Sequence, residues 1–172
     1  MTISATQARL ASSIAADRLR ITEIFCSIQG ETSLAGWPTV FVRLTGCPLR
    51  CQYCDTAYAF YGKRSNSQAE ILEEIERYRV RHVCVTGGEP LAQRQSLTLL
   101  RALCERGYVV SLETSGAIDI SPVDPRVRRI LDIKTPGSGE VARNLGGNMA
   151  QLRLEAQLQG LPVPVALQLP AG

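Results

Sequence analysis

Three closely spaced cysteines have the residue type and spacing to bind a metal centre. They occur in the run Cys47-Pro-Leu-Arg-Cys51-Gln-Tyr-Cys54. A structural zinc site takes four ligands, usually in two pairs, and neither a fourth cysteine nor the single histidine, His82, stands at a usable spacing. Three thiolates instead leave one corner of a four-iron cluster without a protein ligand, open to a substrate or cofactor. The spacing therefore favours a 4Fe-4S cluster, with an incomplete zinc site as the alternative.

Four other clusters combine polar side chains with glycine, and each follows a predicted strand. They are QGE at 29–31, TGGEP at 86–90, ETSG at 113–116 and DIKTPG at 132–137. Ligand sites of parallel sheets gather at the carboxyl ends of the strands. We therefore expect one rim of a sheet to collect these four clusters together with the cysteine loop.

Short apolar strands alternate with amphipathic helices and must position these clusters. Strands are predicted from Ile21 to the turn at Gln29 and at 39–44, 82–86, 108–112 and 130–133, with an edge-type strand at 163–169. Helices are predicted after the capping box Ser67-Gln-Ala-Glu70, over 96–106 and over 149–158. This alternation indicates βαβ units and an α/β fold with a mostly parallel sheet.

The length of 172 residues and the hydrophobic content of 45% suit one domain with one core. Residues 1–20, rich in Ala, Ser and Arg, are predicted to form a weakly ordered leader, and residues 21–150 the core domain. The segment 151–172 is atypical, because it has no acid after Glu155 and ends in an apolar run broken by prolines. Such a composition is what a truncated or frame-shifted end would give.

The formal net charge of +3 comes from scattered basic residues, which argues against nucleic acid or a membrane surface as partner. No apolar run approaches the ~18 residues that span a bilayer, and no signal peptide is recognised, so we predict a cytoplasmic protein. Thiols stay reduced in that compartment, and disulfides are not expected. The isolated Cys26, Cys84 and Cys104 are interpreted as buried small hydrophobes.

The cysteine loop resembles the signature of the radical S-adenosylmethionine (SAM) superfamily, in which an aromatic residue, here Tyr53, precedes the last cysteine. The superfamily pattern also includes a GGEP-type turn, matched at 87–90. Glycines at such a turn allow close approach of the backbone to a ligand. The resemblance implies an incomplete TIM-type barrel. It also implies that the reduced cluster cleaves SAM to a 5′-deoxyadenosyl radical.

Longer stretches resemble a family within this superfamily, the 7-carboxy-7-deazaguanine synthases of queuosine biosynthesis. They are IFCSIQGE at 24–31, FVRLTGC at 41–47, CDTAY at 54–58, TGGEPL at 86–91, ETSG at 113–116 and DIKTPGSG at 132–139. The resemblance implies conversion of 6-carboxy-5,6,7,8-tetrahydropterin to 7-carboxy-7-deazaguanine with loss of ammonia. It also implies Mg²⁺, a homodimer and an electron donor such as flavodoxin.

The substrate implied by the resemblance carries a carboxylate and an amide-rich pterin edge. The guanidinium of Arg43 suits the carboxylate, and Gln29 and Glu31 offer donors and acceptors for the ring. The alternatives are a surface salt bridge for Arg43 and ordinary turn polarity for Gln29 and Glu31. By resemblance, the substrate-binding residues are Ile28, Gln29, Gly30, Glu31, Arg43 and Thr86.

The resemblance also assigns the cofactor contacts, and it implies no catalytic side chain because the radical comes from the cofactor. Thr56 is implied as the Mg²⁺ ligand, whereas its residue type alone would indicate a loop cap. Asp132 and Lys134 have the alternative of an ion pair at a strand end. The implied SAM contacts are Tyr53, Cys54, Asp55, Gly88, Glu89, Thr114, Ser115, Asp132, Ile133 and Lys134.

Two other functions share part of the pattern. A glycyl-radical activase would have the cysteine loop and the GGEP turn, but Arg43 and the SIQGE run would have no purpose in it. A catalytically impaired cluster-binding fragment would account for the tail, since the sequence departs from the family past Asn144 and most clearly from Arg153 to Gly172.

Overall fold

A single sheet organises the computed structural model, which describes residues 17–62 and 64–158, with side chains up to residue 154. Six strands in these ranges pair in the order β3-β1-β2-β4-β5-β6. The strands are β1 (Arg18–Ile28), β2 (Pro38–Leu44), β3 (Arg64–Ser67), β4 (His82–Gly87), β5 (Val109–Thr114) and β6 (Arg128–Leu131). The helices are α1 (Gln68–Arg77), α2 (Ser96–Glu105) and α3 (Gly146–Leu158). None of the helices in the described ranges is long and apolar enough to cross a membrane.

The sheet is mostly parallel and does not close on itself. β2, β4, β5 and β6 run parallel to one another, as the alternation of strands and helices predicts. β1 runs antiparallel to both β2 and β3, and β3 and β6 are the edges of the sheet. The predicted α/β fold, an incomplete barrel with a mostly parallel sheet, is therefore confirmed. The antiparallel arm was not predicted, and the polar sequence of β3 gave no strand pattern.

Most element boundaries lie within two residues of their predicted positions. Strand β6 is shifted by two residues and ends at Leu131, so that the predicted last residues of this strand form the loop after it. Helix α3 begins at Gly146, three residues before the predicted start. The predicted edge strand at 163–169 lies outside the described residues.

The strand β1 begins earlier than the pattern predicted. It starts at Arg18, pairs there with Ser67 of β3, and buries Leu19 to 1% exposure. The last three residues of the predicted leader 1–20 therefore belong to the sheet, where they pair with β3 and the buried Leu19 anchors them to the core. Residues 1–16 lie outside the described residues.

The two faces of the sheet carry different chemistry because side chains alternate along each strand. One face packs against α1 and α2 and is apolar. It includes Val40, Val42, Leu44, Val83, Val85, Val110 and Leu112. The opposite face carries Phe41 and Arg43 on β2, Cys84 and Thr86 on β4, and Ser111 and Glu113 on β5. The parallel register places the residues of this face side by side, with Arg43 opposite Thr86.

The three isolated cysteines differ in burial. Cys84 is fully buried, as predicted, and Cys104 is half-buried. The prediction is wrong for Cys26, which is exposed. It lies near the end of β1, where the neighbouring Ser27 and Ile28 are exposed as well.

The predicted capping box fixes the start of α1. The backbone N–H of Glu70 donates to Oγ of Ser67 at 3.3 Å, and the N–H of Ser67 donates to the Glu70 carboxylate at 2.7 Å. Ser67 has extended backbone angles and also pairs with β1. The two hydrogen bonds therefore set the point at which the chain leaves the sheet edge and enters the helix.

We expect Ser67→Ala to lower the free energy of unfolding by about 1 kcal/mol, because the first turn of α1 loses its side-chain acceptor. Urea unfolding of the anaerobically purified protein measures the change. Ser67→Thr keeps the hydroxyl and serves as the control. An equal loss in both variants would mean that the cap hydroxyl is not the cause.

Candidate active site

One cavity of about 570 Å³ collects most of the predicted site residues. It lies where the polar face of the sheet meets the loops that follow β2, β4, β5 and β6. The predicted residues that line it are Glu31, Arg43, Cys47, Cys51, Tyr53, Cys54, Asp55, Thr56, Thr86, Gly88, Thr114, Ser115, Asp132 and Lys134. The remaining predicted residues, Ile28, Gln29, Gly30, Glu89 and Ile133, are not part of the lining.

The cysteine loop follows β2 and brings all three thiols to this cavity. The guanidinium of Arg50 donates to the carbonyl oxygens of Cys47 at 2.7 Å and Leu49 at 2.6 Å. It also lies 4.4 Å from the centre of the Phe60 ring. The Arg50 guanidinium thus stabilises the folded conformation of the loop by binding two of the loop's carbonyl oxygens, a role that the sequence pattern did not indicate.

A second loop braces the cysteine loop from outside. The carboxylate of Glu140 accepts from the N–H of Arg50 at 2.6 Å, and the carbonyl of Ser138 accepts from the N–H of Gln52 at 3.0 Å. Both acceptors belong to the turn that follows the predicted DIKTPG cluster. The loop that carries the cysteines is therefore held both by hydrogen bonds within itself and by hydrogen bonds to a neighbouring turn.

All three thiols of the cysteine loop are available to bind iron. All three are free rather than disulfide-bonded. Burial raises the pKa of the Cys47 thiol, and the nearby Glu89 carboxylate acts in the same direction against a lowering hydrogen bond from Leu49. Among the described residues, no three His, Cys, Asp or Glu side chains converge on one metal ion. A 4Fe-4S cluster does not need such convergence, since each thiolate binds a different iron.

The double glycine of the TGGEP turn packs against the cysteine loop. A Cβ at Gly87, whose φ is +137°, would clash with the carbonyl of Leu44, and one at Gly88 would clash with the carbonyl of Gly46. The N–H of Glu89 donates to that same Gly46 carbonyl at 2.8 Å. The glycines are thus needed for contact between two backbones, in addition to the contact with a ligand that the sequence pattern suggested.

The carboxylate of Glu89 is fully buried and joins this turn to the end of β5. It accepts from Oγ1 of Thr114 at 2.8 Å, from the N–H of Ser115 at 2.9 Å and from Oγ of Ser115 at 2.5 Å. The N–H of Leu91 donates to it as well, at 3.0 Å. Glu89 therefore positions Thr114 and Ser115 at the cavity.

Asp132 and Lys134 form the ion pair that was the alternative interpretation, and both also line the cavity. The Lys134 ammonium lies 2.6 Å from the Asp132 carboxylate, with side-chain exposures of 9% and 68%. Burial opposes the charged form of Lys134, but the hydrogen bond and charge of Asp132 outweigh it, so that the pKa of Lys134 is raised. The pair presents one exposed carboxylate and one sheltered ammonium to a ligand.

Two asparagines that sequence reasoning missed hold the loops after β5 and β6. The Asn144 amide accepts from the N–H of Lys134 at 2.9 Å and donates to its carbonyl at 2.8 Å. The Asn148 amide donates to the carbonyls of Gly116 at 2.9 Å and Ile118 at 2.8 Å, and accepts from the N–H of Ile120 at 3.2 Å. No motif marks these residues, since each acts through backbone groups distant in sequence.

The QGE cluster reaches the cavity by a different route from the one predicted. Because β1 is antiparallel to β2, the end of β1 lies beside the start of β2 rather than at the common rim, and that part of the prediction is wrong. Gln29 is nevertheless buried at 3% exposure and its amide donates to the Glu113 carboxylate at 3.3 Å. Glu31 lines the cavity, whereas Ile28 and Gly30 are exposed.

Glu113 is the functional candidate that the sequence prediction overlooked. Its carboxylate accepts from Oγ1 of Thr86 at 2.9 Å in addition to Gln29, and it lines the same cavity as Arg43. The ETSG cluster drew attention to this place, but only Thr114 and Ser115 were assigned a role. Alternation along β5 directs the Glu113 side chain to the polar face of the sheet, and this orientation gives Glu113 a place in the site that the motif alone did not indicate.

Thr56 is half-buried and lines the cavity close to the last cysteine. Its hydroxyl donates to the neighbouring Asp55 carboxylate at 2.7 Å. This contact fits a loop cap, and it also places two oxygen atoms at the wall of the cavity, where a hard cation would find oxygen ligands.

Comparison with known proteins agrees with this arrangement. The model of the radical SAM superfamily matches residues 41–134, which run from β2 to the loop after β6. A protein of Thermoplasma acidophilum named 7-carboxy-7-deazaguanine synthase is 39% identical over 141 residues, which are 81% of this chain and 68% of that protein. The chain belongs to the 7-carboxy-7-deazaguanine synthase family of the radical SAM superfamily.

Other members of the 7-carboxy-7-deazaguanine synthase family match over shorter parts of their length. The proteins of Chlorobaculum tepidum and Koribacter versatilis are 50% and 44% identical, over 76% and 71% of this chain. The chain spans only 59% and 55% of their lengths. A crystal structure of QueE from Escherichia coli shares the fold, with a TM-score of 0.67 and 24% identity over 90% of this chain and 80% of that one.

The side chains present fit the cofactors of the radical SAM superfamily. Three free thiols face one cavity, and the missing Cβ atoms of Gly87 and Gly88 allow the TGGEP turn to lie directly against the cysteine loop. Beside them stand Tyr53, the hydroxyls of Thr114 and Ser115, and the Asp132–Lys134 pair. This set offers thiolates for iron and mixed donors and acceptors for an amino acid and a ribose.

We expect Asn148→Ala to lower the free energy of unfolding by about 1–3 kcal/mol, because it leaves two buried backbone groups and one half-buried backbone group without their partner. Urea unfolding measures the loss. Thr98→Ala, at an exposed position of α2, is the control and should change the value by about 0.5 kcal/mol or less. If both variants unfold at the same urea concentration, the amide of Asn148 does not hold the loop after β5.

Proposed function

We propose that this chain acts as a 7-carboxy-7-deazaguanine synthase and converts 6-carboxy-5,6,7,8-tetrahydropterin to 7-carboxy-7-deazaguanine with loss of ammonia, a step of queuosine biosynthesis and hence of tRNA modification. The observation that carries the proposal is that Arg43 and Glu113 line the same cavity as the three cluster cysteines. A generator of radicals and a pair of opposite charges suited to an acidic heterocycle thus face one space.

In this proposal, Cys47, Cys51 and Cys54 hold the 4Fe-4S cluster. The residues proposed for SAM are Tyr53, Cys54, Asp55, Gly88, Glu89, Thr114, Ser115, Asp132, Ile133 and Lys134. With both groups bound and the cluster reduced, one electron from the cluster would cleave SAM and supply a radical that takes a hydrogen atom from the substrate. The geometry supports direct contact for the cavity-lining members of this set, and a positioning role for Glu89, whose carboxylate is already saturated by protein donors.

The substrate half of the cavity offers complementary groups for the two ends of the pterin. Three strands, β2, β4 and β5, contribute side chains of the polar face to the cavity. Among these side chains only that of Arg43 is basic, and its guanidinium suits the substrate carboxylate. Glu113 accepts hydrogen bonds and suits the amino and N–H groups of the pterin edge, with Thr86 and Gln29 holding its carboxylate in place. Glu31 closes the same side of the cavity.

Several further parts of the proposal rest on the family. Thr56, beside Asp55, is proposed to bind Mg²⁺, which takes oxygen ligands and keeps several waters. The electron donor is proposed to be a small redox protein such as flavodoxin. The active form is proposed to be a homodimer in the cytoplasm.

Anaerobic reconstitution tests the function. The protein is loaded with iron and sulfide and incubated with dithionite, SAM, Mg²⁺ and the carboxypterin, and the products are separated by liquid chromatography. We expect both 5′-deoxyadenosine and 7-carboxy-7-deazaguanine, with less product when Mg²⁺ is omitted. Deoxyadenosine without the deazaguanine would favour a glycyl-radical activase or a related radical enzyme. Absence of SAM cleavage would favour a catalytically impaired cluster-binding fragment.

We expect Arg43→Lys to lower kcat/KM for the carboxypterin roughly 10- to 100-fold, because lysine keeps the charge but loses the planar fork of donors. Steady-state kinetics under anaerobic conditions measure the effect. Arg77→Lys, which alters a guanidinium in a surface pair with Glu73, is the matched control. Equal kinetics of the two variants would exclude Arg43 as the carboxylate ligand.

A further inference from the structure

Arg43 does not stand free at the wall of the cavity. Its Nε donates to Oε1 of Glu23 at 2.8 Å, and the two residues face each other in the antiparallel register of β1 and β2. The Arg43 side chain is 18% exposed and that of Glu23 is 41% exposed. Glu23 is absent from the cavity lining, so it meets a cavity ligand only through Arg43.

A β-bulge brings Glu23 to this face of the sheet. Ile21 faces Leu44 and Glu23 faces Arg43, so that two steps along β1 correspond to one step along β2, and Thr22 is the extra residue. Without the bulge, alternation would place Ile21 and Glu23 on the same face. With it, Ile21 remains in the core and Glu23 turns to the polar face. Bulges near active sites commonly redirect a side chain in this way.

Tyr58 holds the other side of the pair. Its hydroxyl donates to the same Oε1 of Glu23 at 2.9 Å, and its ring centre lies 5.8 Å from Cζ of Arg43. The ring of Phe25 lies at the same distance from Cζ. Tyr58 stands four residues after Cys54, so the chain that carries the cluster ligands also carries a clamp on Glu23. Glu23, Arg43 and Tyr58 are called the arginine clamp below.

We infer that Glu23 is a positioning and specificity-determining residue for the carboxylate of the substrate, and this inference rests on the proposed function. Because Nε of Arg43 is engaged by Glu23, the guanidinium presents its two Nη groups to the cavity. These groups form an end-on fork that matches one planar carboxylate. The clamp selects a pterin with a carboxylate in the plane that the fork defines and disfavours pterins without one.

If Glu23 has only a charge-neutralising role, its removal should change substrate binding in the opposite direction. If Glu23 only neutralised Arg43, removing its carboxylate would leave a freer guanidinium and a stronger attraction for any anion. If Glu23 positions Arg43, its removal lets the side chain turn, and selectivity for the carboxylate falls. The direction of the change in binding therefore separates the two.

The test uses the reconstituted, anaerobic protein with SAM bound. Equilibrium dialysis measures the Kd of 6-carboxytetrahydropterin and of tetrahydropterin, which lacks the carboxylate, and kinetics give KM and kcat. For Glu23→Ala we expect the ratio of the two Kd values to fall roughly 10-fold and KM to rise by a similar factor, as for the loss of one charge-assisted hydrogen bond. Glu23→Gln keeps an acceptor for Nε and should restore part of the selectivity.

Two further variants complete the test. Glu73→Ala removes the same residue type from a surface pair with Arg77 at 2.7 Å and should leave both Kd values unchanged. Tyr58→Phe keeps the ring, removes the hydroxyl that holds Glu23, and should lower selectivity by a smaller factor. It serves as the second test if Glu23→Ala does not fold.

Several results would overturn the inference. They are an unchanged Kd ratio in both Glu23→Ala and Tyr58→Phe, or tighter binding of the carboxypterin to Glu23→Ala. If the wild-type protein selects the carboxypterin and the variants select it equally well, the role of the arginine clamp is refuted and the proposed function is not. A wild-type protein that binds neither pterin refutes the proposed function and the inference with it.

Discussion

The buried carboxylate of Glu89 is the interaction on which the site depends. A charge without solvent is costly unless protein donors replace the water, and here four donors surround the carboxylate. Two of its partners are the side chains of Thr114 at the end of β5 and Ser115 directly after it, and its own N–H donates to the carbonyl of Gly46, next to the first cysteine. The turn after β4 is thereby tied to the loops of both neighbouring strands. The cluster ligands and the residues proposed for SAM consequently form one connected unit.

The sheet supports this unit by having two faces of different composition. Alternation along parallel strands in register gives an apolar face for α1 and α2 and a polar face with Arg43, Thr86 and Glu113. A shift of register by one residue would exchange the two faces, so the hydrophobic core fixes the position of the polar residues as well. The bulge at Thr22 is the one place in the described strands where the exchange takes place, and there it serves Arg43.

Much of this arrangement could be predicted from sequence, because it depends on local patterns. The capping box of α1, the apolar strands β2 and β4, and the cysteine spacing are short-range features and were located correctly. The position of the QGE cluster could not be derived in the same way. An antiparallel pairing of β1 depends on the hairpin with β2, and the alternation of strands and helices elsewhere suggested a parallel neighbour. The resulting expectation of a single rim was wrong for Gln29, although the burial of its amide against Glu113 still brought it to the site.

Residues that bind backbone groups distant in sequence could not be recognised from the sequence pattern. Asn144 and Asn148 bind the loops after β6 and β5 through their side-chain amides. Each is a polar residue in a loop or at a helix start, and single-sequence reasoning has no means to tell such a residue from a solvated one. Their partners become visible only when the fold brings segments 10 to 32 residues apart into contact.

The same asparagines bear on the predicted departure from the family near the end of the chain. Both precede Arg153, where the sequence predicts that departure to be clearest, and their hydrogen bonds join residues within the described ranges. The loops proposed to hold SAM are thus fixed by side chains upstream of that departure. The clamp on Arg43 lies further upstream still, between β1, β2 and the cysteine loop. These hydrogen bonds of the cluster loop, of the loops proposed to hold SAM and of the arginine clamp all join residues that precede Arg153.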